Sequence, residues 1–305
     1  MAYLDLLDSI LRGGGQGLGA SFREAQATWI EGRELPGGGF AGRRGDRADL
    51  YYTDFALRAL DLIAPESSVF ANTARHLQWH ARPPGDITET LSLLSCARAL
   101  QRQGGRVRAD RRAVERALAA QALPGGGFGP PGQSTISAYQ TFLGVICAQM
   151  IGHEEPSRSV ATQIAALQRP SGGFAESSAD ASAQTNATAA AAAVLLMDNG
   201  LHQADLPGAG RFLVENQAAD GGLRAHPEAP ASDLLSSFTG LLTLMLIGEP
   251  RELDLPALAR FVRGAASPDG GFGAMPGDIG ADVEYTFYGI ATLSLLRTLL
   301  DGEGG

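Results

Sequence analysis

Six times along the chain a polar residue stands four positions ahead of a Thr or Ser and opens a helix-length apolar run. The openings are Asp49…Thr53, Asp86…Thr90, Ser137…Thr141, Gln184…Thr188, Asp233…Ser237 and Asp282…Thr286, spaced by 37, 51, 47, 49 and 49 residues. Five of them follow a Gly-Gly-Phe or Gly-Gly-Leu turn, ending at Phe40, Phe128, Phe174, Leu223 and Phe272, by nine or ten residues. A period of this size means one supersecondary unit stacked on copies of itself. Equivalent positions of the six units are therefore expected to lie close together, and chemistry is to be sought there.

Each unit reads as a helical hairpin. The first helix is amphipathic and moderately charged, as in Ser21–Glu34, Val114–Ala122, Ser159–Gln168 and Ala257–Val262. The Gly-Gly-Phe turn is expected to end it, the glycine taking a left-handed C-cap and the aromatic packing back as a plug. The second helix begins at the polar opening and is apolar nearly all round, as in Phe238–Ile247 and Phe287–Leu296, which marks a buried helix. Seven residues past the openings stand Ala56, Leu93, Gly144, Ala191, Gly240 and Gly289, mostly small, as if to let inner helices approach one another. Ten past stand Ala59, Cys96, Cys147, Val194, Thr243 and Thr292, which gives both cysteines a packing role. The unit opened by Asp86 lacks the Gly-Gly-Phe turn and counts as a degenerate hairpin. The expected fold is all-α: an α/α toroid of six helical hairpins around a central funnel, a single domain spanning residues 1–305.

Composition narrows the function. The chain has 24 fixed cations against 33 acids and a net charge of −9, and every cation is Arg. Without lysine there is no Schiff-base chemistry and no P-loop. The acidic balance argues against nucleic-acid binding. The arginines at 106, 108, 111, 112 and 116 read as a solvated helix face. The most apolar stretch, Ala187–Met197, suits a buried helix and is too short to span a membrane. Met1–Leu11 does not resemble a signal peptide, Gly13–Gly19 reads as a short Gly-rich connector, and two cysteines make no disulfide framework. The expected setting is reducing and cytoplasmic.

The Gly-Gly-Phe repeats resemble those of the prenyltransferase and squalene–hopene cyclase superfamily. Within it the chain is most similar to the β subunits of Rab geranylgeranyltransferases. The likeness is strongest in Asp220-Gly-Gly-Leu223…Pro227-Glu228…Asp233 and in Gly270-Gly-Phe272…Pro276-Gly-Asp278…Asp282…Thr286-Phe-Tyr-Gly-Ile290. The resemblance implies a zinc ion held by an Asp, a Cys and a His. Here Asp233 stands at the Asp position, but Leu235 stands at the Cys position and Tyr285 at the His position. One carboxylate does not hold zinc, and His76, His80, His153, His202 and His226 do not fill the gap. The family's diphosphate clamp falls near Asp180, His226, Ala229 and Ser236, so that cationic site is largely lost. No resident metal or cofactor is expected, although a diphosphate substrate would call for Mg2+. A helical partner analogous to the family's α subunit is an expectation of the resemblance alone.

Class II terpene cyclases of the same superfamily protonate an alkene with the middle Asp of an Asp-x-Asp-Asp-Thr segment. Asp282-Val-Glu284-Tyr285-Thr286 is similar, with Glu284 in the middle, and Asp86-Ile-Thr-Glu89-Thr90 keeps an acid one position later. Such chemistry needs a carboxylic acid kept protonated by burial and by neighbouring carboxylates, above an apolar surface that shelters a cation. Asp282, Glu284, Asp86 and Glu89 are the candidate catalytic acids. Asp49, Tyr51, Tyr52, Tyr139, Phe142, Asp233, Phe238, Tyr285 and Tyr288 are the candidate substrate-binding residues, the aromatics offering π faces to a cation. Asp, Ser and Thr at a helix start are also ordinary N-caps. Two readings follow. In the first, the chain acts on or binds an isoprenoid or similar apolar molecule, without zinc and, if catalytic, by acid initiation. In the second, it is a non-catalytic toroid that binds a lipid, a peptide or a partner protein. A protein geranylgeranyltransferase β subunit ranks behind both.

Overall fold

The computed structural model describes residues 3–80, 84–153, 156–198 and 204–301, the side chains of 78–80 and 301 excepted. His202 and the side chain of His80 lie outside it. Helix α1 (Tyr3–Gln16) precedes six hairpins: α2–α3 (Ala20–Glu31, Leu50–Ile63), α4–α5 (Val69–His80, Ile87–Arg102), α6–α7 (Arg111–Gln121, Ala138–Met150), α8–α9 (Arg158–Ala165, Thr185–Met197), α10–α11 (Leu206–Glu215, Leu234–Ile247) and α12–α13 (Leu255–Gly264, Val283–Asp301). A two-residue antiparallel ladder pairs Leu223–Arg224 with Ser232–Asp233. The chain forms two compact units, Met1–Val114 with Phe261–Gly305, and Glu115–Arg260. In the first, α3 packs between α5 and α13; in the second, α9 packs between α7 and α11.

The repeated Thr or Ser is a stitch. In five hairpins its hydroxyl oxygen accepts the backbone N–H of the turn residue: Phe40 N to Thr53 3.0 Å, Phe128 N to Thr141 3.0 Å, Phe174 N to Thr188 2.8 Å, Leu223 N to Ser237 3.0 Å and Phe272 N to Thr286 3.0 Å. The opening residue closes the same loop: the amides of Asp49, Ser137, Gln184 and Asp282 donate to the carbonyls of Phe40, Phe128, Phe174 and Phe272. Otherwise-orphaned buried backbone groups are thereby paired where each inner helix starts. Thr90, whose unit lacks the turn, donates only to its own opening, Asp86 O, at 2.6 Å.

Two expectations are corrected. The Gly-Gly pairs do not cap the preceding helices. These end earlier, at right-handed caps such as Gly32, Ala166 and Asn216, and the glycines make a separate turn. Gly270 and Gly271 have φ of 97° and 74°, and Trp29 packs where their side chains would begin. Nor do the glycines seven past the openings serve helix–helix approach. A Cβ at Gly144 would lie 2.3 Å from the Phe128 ring, at Gly289 2.5 Å from Phe272 and at Gly240 2.3 Å from Leu223. Each makes room for its own turn's plug. Cys96 and Cys147 are buried and free, as the packing role requires, and burial raises both thiols, Cys147 to about 12.

Helix α1 reaches into the supposed connector because Gly14 and Gly15 pack tightly there: a Cβ at Gly14 would lie 1.8 Å from Ser294 O. Its polar face is tied to α3 and α5. Arg12 reaches buried Asp61 at 2.5 Å, Arg102 bridges Asp61 (2.6 Å) and Asp8 (2.8 Å), and Arg98 holds Asp5 (2.6 Å) and Asp8 (2.8 Å). No helix among the described residues is long and apolar enough to cross a membrane.

Candidate functional site

The starts of α3 and α13 meet in the first unit and gather Asp49, Tyr51, Tyr52, Asp282, Glu284, Tyr285 and Tyr288. Their capping duties come first. Asp49 accepts Tyr51 N at 2.8 Å and Asp282 accepts Tyr285 N at 2.9 Å. Asp282 also receives Arg43 Nε at 2.6 Å, and the same guanidinium reaches Asp278 at 3.1 Å. Arg43 is thus a clasp between the loop before α3 and the start of α13, and it stands over the Tyr285 ring at 5.4 Å. The Asp282 carboxylate is thus engaged by both a helix cap and an ion pair.

Glu284 is the contrasting acid. It is half-buried, accepts no capping amide among the described residues, and its Oε1 accepts a hydrogen bond from Tyr51 Oη at 2.8 Å. Burial holds its carboxyl above the usual range. The Asp282 charge adds to that rise, while the Tyr51 bond and Arg43 oppose it. The expected push from neighbouring carboxylates is therefore present but secondary to desolvation. The same surroundings raise the Tyr52 phenol: burial first, then Glu284, Asp282 and Asp49.

Tyr51 joins this acid to a connected and largely buried aromatic cluster. Tyr51 stands 4.9 Å from Phe55, and Phe55 stands 5.6 Å from Phe287 and 5.3 Å from Tyr288. Tyr285 meets Tyr288 at 6.2 Å. Tyr51, Phe55 and Arg58 fall at i, i+4 and i+7 on one face of α3, and Glu284, Phe287 and Tyr288 share a face of α13. Arg58 lies over Phe287 at 4.0 Å and over Phe55 at 5.6 Å. Beside it, Asp54 is 4% exposed and accepts the Ser95 hydroxyl, and burial pushes its carboxyl up to about 6.

Asp86 and Glu89 form a reciprocal cap at the start of α5: Glu89 N donates to Asp86 at 2.7 Å and Gly85 N to Glu89 at 2.8 Å. With Asp49, Tyr51 and His76 they line a cleft of about 710 Å³ on the rim of the first unit. The other candidates lie in the second unit. Tyr139 is 41% exposed at the start of α7, Phe142 follows it, and Phe238 is buried in α11. Asp233 caps α11, accepting Ser236 N at 2.7 Å and its hydroxyl at 2.9 Å, and burial raises it. Leu235 stands beside it in α11. Among the described residues no group of three or more His, Cys, Asp or Glu is arranged to hold a metal ion.

Phe55, Asp54, Arg58 and Arg43 do not emerge from the sequence reading. The first three carry a legible signal, since they continue the helical face of Tyr51. Arg43 carries none: it finds Asp282 across 239 positions of chain.

The model of the prenyltransferase alpha-alpha toroid domain matches residues 4–96, 87–229 and 137–303 in overlapping stretches, and the chain belongs to that family. Its fold is accordingly the all-α toroid expected from the repeats. It is similar to the Candida albicans protein geranylgeranyltransferase-I complexed with GGPP, at 16% identity and a TM-score of 0.66 over 81% of this chain and 83% of that one. It is also similar to the type II terpene cyclase MstE from Scytonema, at 14% identity and a TM-score of 0.61 over 94% and 99%. A variant of that cyclase, at 13% identity and a TM-score of 0.62 over 99% of each chain, is in complex with its substrate geranylgeranyl dihydroxybenzoate. Among curated proteins none matches the chain in sequence.

Proposed function

We propose that the protein binds an isoprenoid chain against the α3–α13 aromatic cluster and, without zinc, starts its cyclisation by protonation from Glu284. The observation that carries this reading is the Glu284 carboxyl, raised by burial and held at 2.8 Å by Tyr51 Oη, whose ring packs on Phe55 and through it on Phe287 and Tyr288. The kinship with a geranylgeranyltransferase and a terpene cyclase supports an isoprenoid as the apolar ligand. In the step, the Glu284 O–H bond breaks, the alkene π pair forms a new C–H bond, and the cation left on the more substituted carbon is attacked by the next alkene. Loss of a proton to water ends the sequence. The product is an isomer of the substrate, and no oxidant or reductant is needed. Aromatic faces stabilise the intermediate cation. Asp282, paired with Arg43, positions Glu284 and raises its proton affinity.

Incubation with geranylgeranyl diphosphate, geranylgeranyl dihydroxybenzoate and squalene, followed by mass spectrometry, tests the reading. A product isomeric with one substrate is expected from the wild type, falling about 10²-fold or more in Glu284→Gln. Equal product from both proteins overturns the assignment of Glu284.

A further inference from the structure

The third hairpin, α6–α7, differs from its sisters in one side chain. Four of the five turn plugs, Phe40, Phe174, Leu223 and Phe272, are 0% exposed, whereas Phe128 is only half-buried. The plug lies against the residue seven past the opening: a Cβ at Gly144 would lie 2.3 Å from the Phe128 ring. One helical turn further along that face, eleven past the opening, stand Leu60, Leu195, Leu244 and Leu293 in the four hairpins whose plugs are closed. All four leucines are buried. The third hairpin has Ala148 there, and it is half-buried. Ala97 holds the same place in the hairpin opened by Asp86, but that hairpin has no plug to cover.

Where the isobutyl group is missing there is a pocket of about 390 Å³ in the second unit, within the size range of small-ligand sites. Phe128 and Ala148 face it together with Leu118 of α6, Val145 of α7 and Val160 of α8. Its polar members are Glu115 and His153. A leucine occupies this place in the sister hairpins, so a branched aliphatic chain is the shape that packs there. Glu115 disfavours an anionic head, and the exposed His153 ring offers a hydrogen-bonding group to a hydroxyl. A stable protein interface needs roughly 1,000 Å² or more, so a pocket walled by a few side chains suits a small molecule.

We infer that this pocket binds a small, uncharged, branched aliphatic molecule, such as an alcohol, whose chain takes the place that a leucine fills in the sister hairpins. The site belongs to the second unit and does not depend on the isoprenoid reading of the first.

Equilibrium binding of isoamyl alcohol, citronellol, citronellic acid and acetyl-leucine amide to the full chain, wild type and Ala148→Leu, tests it. The wild type is expected to bind citronellol most tightly, and its Tm to rise with that alcohol present. Ala148→Leu supplies the missing group. Its own Tm is expected to rise by about 2–4 °C, while its citronellol affinity falls about tenfold or more. Ala148→Val is expected to fall between the two. Citronellol bound equally by the wild type and Ala148→Leu sits elsewhere on the chain and overturns the inference. So does a wild type that binds neither alcohol, one that prefers the acid, or one that binds only acetyl-leucine amide, which points to a protein segment instead. A lower Tm in Ala148→Leu shows that no leucine-sized space is present, and it overturns the inference as well.

Discussion

Tyr51 Oη donates to Glu284 Oε1 at 2.8 Å, joining the first turn of α3 to the first turn of α13 across 233 positions of sequence. This bond ties the acid to the aromatic cluster and helps set its proton affinity. A hydrogen bond donated to a carboxylate favours the ionised form, so it partly offsets the rise that burial imposes. Tyr51→Phe should therefore raise the Glu284 pKa. Catalysis by the protonated acid declines as pH rises through that pKa, so the alkaline limb of the kcat profile should move to higher pH. A limb that stays in place or moves down contradicts the assignment.

Arg43 acts in the same direction through charge. It lowers the proton affinity of Glu284 and pairs with Asp282 and Asp278. Arg43→Gln should shift the alkaline limb upward as well. Because the guanidinium is 37% exposed, the loss of stability should be modest, about 1 kcal/mol, read from urea unfolding.

Asp54 makes stability depend on pH. Its folded-state pKa of about 6 stands above its unfolded value, so its contribution is fully present below the unfolded pKa and is lost as pH rises through about 6. Asp54→Asn keeps an acceptor for Ser95 and never ionises. Its Tm should exceed that of the wild type at pH 8 and converge with it near pH 4. The gap corresponds to no more than about 3 kcal/mol. A constant difference across this range would rule Asp54 out as the source.

The plug-and-glycine pairs predict steric cost. A methyl group at Gly144 or Gly289 would sit within about 2.5 Å of the Phe128 or Phe272 ring. Gly144→Ala and Gly289→Ala should each destabilise by about 1–3 kcal/mol despite the gain in helix propensity. Gly144→Ala combined with Phe128→Leu should recover part of the loss.

Much of the architecture is legible because it repeats. The Asp…Thr spacing locates six buried helices, and the structure explains it through the stitch from Phe272 N to Thr286 Oγ1 and its equivalents. The glycines were legible as special but not in their purpose, since the ring that fills the space at Gly289 comes from its own turn rather than from a neighbouring helix. Glu284 is singled out by its motif and Tyr51 by its place in the Asp49…Thr53 opening. Their bond is not, because a local pattern says nothing about which side chain crosses to the next repeat. Arg43 escapes the sequence for the same reason, since its ion pair with Asp282 forms only in the fold.

The most direct test of the central claim is turnover in D2O. Glu284 exchanges its proton with solvent, so protonation by it places one deuterium in every product molecule at the carbon that receives the proton. The account predicts a cyclised product heavier by one deuterium from the wild type, and none from Glu284→Gln with ligand binding retained. Product without solvent deuterium would contradict it, as would bound isoprenoid that the wild type never converts.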